Sequence, residues 1–587
     1  MASKAVQPTA LAPDAPRPLP RLHSPRPPSP ADWIPVVSIP VECQADHFHQ
    51  AILELVRHPE QSSSTILRAD ILADEDDSTT STPQMDGYRC VRRVRRQILP
   101  NRPQFDWAME QECLFYDSDD DGSLDTRNGT ESLVVLLPDC DQLERDRGER
   151  RLPYYHPQVY ALAFRYLSGH SGTSSTLRID LVPLPSQPMT APLPPNDRLF
   201  RTAQMLAKYA AKICNGQAAG YQKRIHHDLL VGRTAVQDTY QRLKDKYQTD
   251  LDSLTPSPRI TFRWMLNSWQ ESTDATKHVF EDVAIAAWLV VYWARVYAHA
   301  GGKPPGGFVD VGCGNGLLVY ILASEGYAGY GFDLRERKSW TTYTSPRPDL
   351  RVQSLNPVEL ISAQTLPASS GQPADAWPFP RDSFLIFNHA DEMTPWCPLL
   401  AALTPGDDVG FLNIPCCLHE LVGRFERQTY SIPAPFLASL PEPQSPPTVA
   451  SRGAESLPAD LSPLLLPFYA ASPLSYISGN GKAKPKANSS AGVSAPSILG
   501  GRYHAYQLYL AHLTLRCGFV PAREALRIPS TKNFGLVGGR SGDSPGPTGQ
   551  DPDEIREQVA ELVREVQLRG EWKARRPEGK AGDKQGH

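Results

Sequence analysis

Two carboxylates bracket a glycine-rich turn in this chain. Asp310 stands two residues before Gly312, Gly314 and Gly316, and Asp333 follows about twenty residues later. Glycines let a backbone turn tightly and approach a ligand closely, and the start of a helix offers free N–H groups. A carboxylate ending the next strand accepts hydrogen bonds from ribose hydroxyls, as in dinucleotide-binding folds. The pattern here is G-x-G-x-G rather than G-x-G-x-x-G, and the acid ahead of it suits a cation and repels a pyrophosphate. A second set, Asn388, His389 and Asp391, follows the apolar run Phe384-Leu385-Ile386-Phe387. Ligands and catalytic groups of open α/β sheets gather at the carboxyl ends of strands, and a histidine or carboxylate there can serve as a general base. A third set, Arg335, Arg337 and Lys338 with Trp340, follows Asp333 directly and fits phosphate binding, base stacking or a solvated helix face.

The elements that position these groups can be read from pattern. Phe308–Val311 reads as a buried strand, and the helix starting near Leu317 carries Leu317, Leu318, Ile321 and Leu322 on one face and stops at Gly326. Tyr330–Asp333 is the second strand, Arg351–Leu355 the third, Phe384–Phe387 the fourth and Val409–Ile414 the fifth, with a helix over Thr394–Leu403. Upstream, Thr273 or Asp274 caps a helix running to His299, apolar nearly all round and therefore buried against the sheet; Glu281 and Asp282 lie near its start. The fold class expected is α/β, Rossmann-like. The ligand that is at once a cation, an amino acid and a ribonucleoside is S-adenosylmethionine, and Asp310, Gly312, Gly314, Gly316, Asp333 and Asn388 are the expected cofactor-binding set.

With 587 residues the chain has room for two to four domains. Its 57 prolines and 40 glycines exceed what one compact globule holds and point to disordered segments. A formal net charge of −5 does not advertise nucleic-acid binding, though a local basic footprint suffices for it. The ten cysteines show no C-x-x-C pair and no zinc-finger spacing, which predicts a reduced, intracellular protein without a metal site. Residues 1–31 predict a disordered tail without an apolar signal core, and the longest apolar run, Val283–Ala294, is too short to span a bilayer. Residues 32–190 read as a small α+β module, with a helix at 48–57 and strands at Tyr88–Val94, Leu133–Leu137, Tyr160–Tyr166 and Leu177–Val182. The acidic loop Asp117–Asp125 lacks the glutamate of a calcium loop. Residues 197–430 and 501–540 form the second domain with its helical lead-in, which includes Leu199–Asn215, the cationic patch Tyr221–Asp228 and Asp238–Tyr247. Residues 431–500 are an inserted disordered segment. Gly501–Leu515 is a helix, Cys517–Val520 starts a late strand, and Leu526–Asn533 closes the domain. Residues 541–587 give a linker, a short charged helix (Glu554–Leu568) and a polar tail.

Lys277–Asp282, Phe308–Gly316, Gly329–Asp333, Asn388–Trp396, Pro415-Cys416-Cys417 and Leu526–Lys532 together resemble the tRNA (uracil-2′-O-)-methyltransferase family. The resemblance covers roughly 197–430 and 501–535, and the long insertion departs from it. It implies a class I methyltransferase domain that uses S-adenosylmethionine in the cytoplasm to methylate the ribose of uridine 44 in serine tRNA, with no membrane or DNA partner. A ribose hydroxyl is a poor nucleophile while protonated, so Asp391 or His389 is expected to take its proton, with Lys338 offsetting the alkoxide charge. The alternatives are a methyltransferase acting on protein or a small molecule, and a non-catalytic RNA-binding scaffold.

Overall fold

The computed structural model describes the chain except residues 1–6, 13–14, 16–17, 24–31, 77–83, 104, 119–130, 149–150, 170–173, 185–191, 222–227, 247–270, 272–273, 344–345, 366–376, 434–435, 437–500, 541–549, 571 and 573–587. Most of the acidic loop, the interior of the Tyr221–Asp228 patch and nearly all of the 431–500 insertion lie outside the described residues. Two compact units result, Met1–Gln222 and Lys223–His587.

The first unit is an antiparallel sheet gripped by helices. Its strands are β1 (Thr9–Ala10), β2 (Leu22–His23), β3 (Ile34–Val41), β4 (Ile66–Asp76), β5 (Gln84–Met85), β6 (Tyr88–Pro100), β7 (Met109–Ser118), β8 (Glu131–Pro138), β9 (Val159–Leu167) and β10 (Ser175–Pro183). The order is β1-β3-β10-β9-β8-β7-β6-β5-β2, with β4 also paired to β6. Helices α1 (Ala45–Arg57) and α3 (Arg198–Ala218) pack on this sheet, burying Phe48, Ile52, Phe200, Ala203, Ala207 and Ala210 against Val37, Phe115 and Phe164, while α2 (Cys140–Arg147) joins β8 to β9. Two expectations change here. The 1–31 tail contributes β1 and β2, which pair with β3 and β5, and Leu19 is buried beside Met85. The helix at 197, expected to lead into the second domain, belongs to the first unit, because its alanine-rich face fills the groove of this sheet.

The second unit is a seven-stranded sheet in the order β13-β12-β11-β14-β15-β17-β16. Strands β11 (Phe308–Val311), β12 (Gly329–Asp333), β13 (Asp349–Val352), β14 (Phe384–Asn388) and β15 (Gly410–Ile414) are parallel, and β17 (Phe534–Gly539) runs antiparallel between β15 and β16 (Ala522–Ala525). One face carries α4 (Arg233–Lys246), α5 (Ala275–Val296) and α6 (Leu317–Ser324), with Trp293, Tyr297 and Leu289 fully buried among Phe308, Phe384 and Ile386. The other carries α7 (Pro357–Thr365), α8 (Cys397–Leu403), α9 (Arg502–Arg516) and α10 (Pro552–Arg569).

Three local expectations change. The late strand expected to start at Cys517–Val520 starts at Ala522, because Cys517 and Gly518 form a turn in which Gly518 takes φ +79°. Leu526–Asn533 is a hairpin loop rather than the domain's close, and the chain returns through β17. The helix expected over Thr394–Leu403 is split: Pro395 and Pro398 leave a 3₁₀ turn over Asp391–Trp396 before α8. The charged C-terminal helix, α10, docks by Ile555, Val559, Leu562, Val563 and Val566.

Candidate active site

The parallel topology brings the carboxyl ends of β11, β12 and β14 to one edge, and the turn after β11 is built to stay open there. Gly312 and Cys313 donate their N–H groups to the Phe332 carbonyl at 2.9 and 3.0 Å, tying the turn to β12. Gly312, Gly314 and Gly316 take φ +76°, +52° and +76°, a region costly for other L-residues. At Gly316 a Cβ would stand 2.7 Å from Leu350 Cδ1. The turn is braced from outside: Trp340 Nε1 donates to the Gly314 carbonyl at 2.9 Å, and Ser339 and Tyr343 donate to the Asn315 carbonyl at 2.8 and 3.1 Å. Asn315 accepts the Leu317 N–H at 2.6 Å, satisfying one of the free donors at the start of α6.

A cleft of about 740 Å³ opens over this turn. Asp310 lies at its floor, 2 % exposed, and among the described residues its Oδ1 has no hydrogen-bond partner. Burial first, then the nearby Asp282 and Asp333, push its carboxyl well above the usual carboxylate range. Asp282, also buried, is pushed up to about 7 by burial and then by Glu281, while Asn315 donates to it weakly at 3.5 Å. Asp333 accepts the Gly314 N–H at 3.0 Å and pairs with Arg337 at 3.2 Å. Asn388 Oδ1 is a second buried acceptor without a partner among the described residues, in the same cleft. At the floor of the cradle the Asp310 Oδ1 and Asn388 Oδ1 acceptors lack donors, while Asp333 is already paired with Arg337. A ligand carrying an ammonium, a sulfonium and ribose hydroxyls supplies donors and positive charge there, so the residues present fit S-adenosylmethionine.

The facing wall comes from the exit of β14. His389 and Asp391 take φ +55° and +45°, uncommon for residues with a Cβ. His389 Nε2 lies 3.0 Å from Glu281 Oε1; the glutamate side chain is 4 % exposed and the imidazole 31 %. Asp391 lines the cleft beside Cys416, whose Sγ is 3.9 Å from Asp391 Oδ1. Asp391, Cys416 and Cys417 bring three ligand atoms within 4.8 Å of one another, one fewer than a structural zinc site uses.

Of the residues singled out from sequence, Asp310, Gly312, Gly314, Asp333, Asn388, His389 and Asp391 line this one cleft, and Gly316 shapes the turn beneath it. Lys338 does not line it: it is exposed at the start of a 3₁₀ turn whose Ser339 and Trp340 point inward. The cations of the cleft are Lys277, Arg335, Arg337 and Lys532. Lys532, on the β16–β17 hairpin loop, donates to the Cys416 carbonyl. Sequence reasoning assigned no site role to Glu281, Asp282, Lys532 or Trp572. The first two carried a signal, adjacent acids at the head of an apolar helix; the others are brought in by long-range packing.

The comparisons with known proteins agree with this geometry. Residues 10–224 match the family model described as "TRM44-like, N-terminal bet v1-like domain", and residues 230–356 match that described as "Predicted AdoMet-dependent methyltransferase". No solved structure matches. The chain is 33 % identical over 541 residues to a tRNA (uracil-O(2)-)-methyltransferase of Neurospora crassa, covering 87 % of this chain and 88 % of the relative. It is 34 % identical over 512 residues to the protein of that name in Schizosaccharomyces pombe, covering 84 % and 82 %. A glycine cradle over an unpartnered buried carboxylate, a two-unit architecture matched by both models and identity along nearly the whole length converge: this chain belongs to the tRNA (uracil-O(2)-)-methyltransferase family.

Proposed function

We propose that this chain methylates the 2′-hydroxyl of a uridine ribose in tRNA, that the target is uridine 44 of serine tRNA, and that it acts in the cytoplasm. The observation that carries the reading is the buried Asp310 carboxylate, unpartnered at Oδ1 beneath three glycines of positive φ. The strand order, with five parallel strands and an antiparallel β17 inserted before β16, supports a Rossmann-like class I methyltransferase domain. Names of the relatives supply the tRNA substrate; the motif resemblance supplies uridine 44, serine tRNA and the compartment.

When bound, S-adenosylmethionine supplies an electrophilic methyl group on a sulfonium. Asp310 and Asn388 would hold its cationic and donor groups, the Gly312–Gly316 turn would admit it closely, and Asp333 would take ribose hydroxyls. His389 is proposed as the base that accepts the acceptor hydroxyl's proton. Glu281 behind it fixes the imidazole and stabilises the imidazolium that results. Asp391, on the same strand exit, is proposed to position the acceptor ribose. Lys532, inside the cleft, replaces Lys338 as the cation that offsets alkoxide charge.

The test uses labelled methyl donor with two serine tRNA transcripts, one natural and one carrying 2′-deoxyuridine at position 44. Label on the first alone is expected. Equal label on both removes uridine 44, and label on protein with none on either RNA removes the tRNA reading.

A further inference from the structure

The first unit contains a helix face with an unusual charge pattern. Over its 21 residues α3 has no aspartate or glutamate, in a chain whose acids outnumber its lysines and arginines. Apart from the terminal Ala218, its exposed positions are Arg198, Arg201, Met205, Lys208 and Lys212, spaced three and four apart, so they form one stripe. From Arg198 to Lys212 the stripe runs ~21 Å along the helix. Its opposite face, Phe200, Ala203, Ala207, Ala210 and Ala211, is packed in the core, so the stripe's direction is fixed.

Pairing separates this stripe from the paired arginines of the sheet. Arg68, Arg92, Arg93, Arg165 and Arg178 of the sheet each pair with a carboxylate. Arg198 is also engaged, stacked over the Tyr154 ring at 3.7 Å. The acid that precedes the helix, Asp197, accepts the N–H groups of Leu199 and Phe200, and Glu54 and Glu60 stand near Tyr209 on the flank of the stripe. Arg201, Lys208 and Lys212 have no carboxylate partner among the described residues, and with Gln204, Met205 and Tyr209 they line a shallow groove. A solvated helix ordinarily intersperses acids among its bases. A stripe of cations without acids complements a polyanion whose charges are evenly repeated.

We infer that the α3 stripe docks the phosphate backbone of the tRNA substrate, with Arg201, Lys208 and Lys212 each facing phosphate. The inference rests on the tRNA reading above and adds to it a holding surface in the unit that lacks the methyl-donor cradle. Such contacts position the substrate without reading sequence. An acidic protein would instead be met by aromatic and arginine anchors around a buried centre; Met205 is the sole large apolar group exposed on the stripe.

The test compares the full-length chain with its Arg201→Gln, Lys208→Gln, Lys212→Gln triple variant, in binding to a serine tRNA transcript over a range of salt. Each lost phosphate contact removes about 0.7–0.9 from the slope of log K against log salt, so a fall of about 2 is expected, with affinity at least tenfold weaker at low salt. KM for tRNA should rise with kcat and methyl-donor binding unchanged, and Lys208→Arg, Lys212→Arg should keep the slope. If the parent chain binds tRNA and the triple variant shows the same slope and affinity, the α3 assignment is wrong while the tRNA reading stands. If the parent chain binds no tRNA, both fall.

Discussion

Replacing Asp310 by asparagine tests the cradle with the least change of shape. The asparagine keeps the size of the side chain and one carbonyl oxygen but cannot become an anion. In the parent chain the carboxyl sits 2 % exposed with Oδ1 unpartnered, pushed upward by burial and by Asp282 and Asp333. A bound cation turns that liability into an ion pair. Removing one partner of a buried ion pair costs about 3–5 kcal/mol. Part of this is offset, because the parent pocket must first ionise a reluctant carboxyl and the variant need not. A net loss of about 3 kcal/mol, roughly a hundredfold in Kd, follows at mildly alkaline pH. The sign with pH is also set. Only the ionised carboxylate attracts the cation, so the parent's affinity rises as pH rises towards its raised pKa, and the variant's rise is smaller. Isothermal titration with S-adenosylmethionine and with its demethylated product, near pH 6 and near pH 8, reads both effects. Thermal melting of the unliganded variant should show no loss of stability. Binding within threefold of the parent at both pH values would refute the role given to Asp310.

His389→Ala should lower kcat for RNA methylation by about 10²–10⁴, the range of a lost general base, with methyl-donor Kd nearly unchanged, as single-turnover transfer and calorimetry together would show. Asp282→Asn should stabilise the unliganded protein at high pH. A carboxyl raised from 3.8 to about 7 contributes stability that is complete below about pH 4 and lost as pH rises through 7. The variant's advantage in unfolding free energy should therefore grow from about pH 5 to pH 8, towards an upper limit of about 4 kcal/mol, read by denaturant unfolding; an advantage that is constant with pH contradicts the assignment. Glu524→Ala removes a buried carboxylate that accepts the N–H groups of Asp228, Leu229 and Leu230 at 2.7, 3.0 and 2.7 Å. Orphaning those amides should cost about 3 kcal/mol or more in denaturant unfolding, and a loss below about 1 kcal/mol would show that the contact is solvent-exposed.

The glycine cradle was legible because everything that builds it is local: an acid, three glycines and a helix start lie within nine residues, and β12 returns Asp333 to the neighbouring strand. The His389–Glu281 pair was not, since its members are 108 residues apart and meet only when α5 packs against the sheet. Lys338 looked like the site cation because Arg335, Arg337 and Lys338 are neighbours in sequence, yet the 3₁₀ turn there directs Ser339 and Trp340 inward and leaves Lys338 in solvent. Lys532 reaches the cleft on a hairpin whose second strand, Phe534–Gly539, holds three glycines in six residues and so carries little strand propensity. Gly538 is needed there, as a Cβ would stand 2.7 Å from the Phe411 ring. In the first unit, Ile34–Val41 was hidden by Pro35 and Pro40, and Ile66–Asp76 by its run of acids; pairing across the sheet overrides both.

The central claim is that a cleft with an unpartnered buried carboxylate at its floor, faced by a histidine–glutamate pair, places a methyl group on a uridine ribose in tRNA. Nucleoside mass spectrometry of serine tRNA transcript, digested after incubation with the purified chain and S-adenosylmethionine, measures this directly. The account predicts one 2′-O-methyluridine per tRNA, mapped to position 44 and absent with the His389→Ala chain. A chain that binds the methyl donor tightly yet leaves every ribose of that tRNA unmethylated would contradict it.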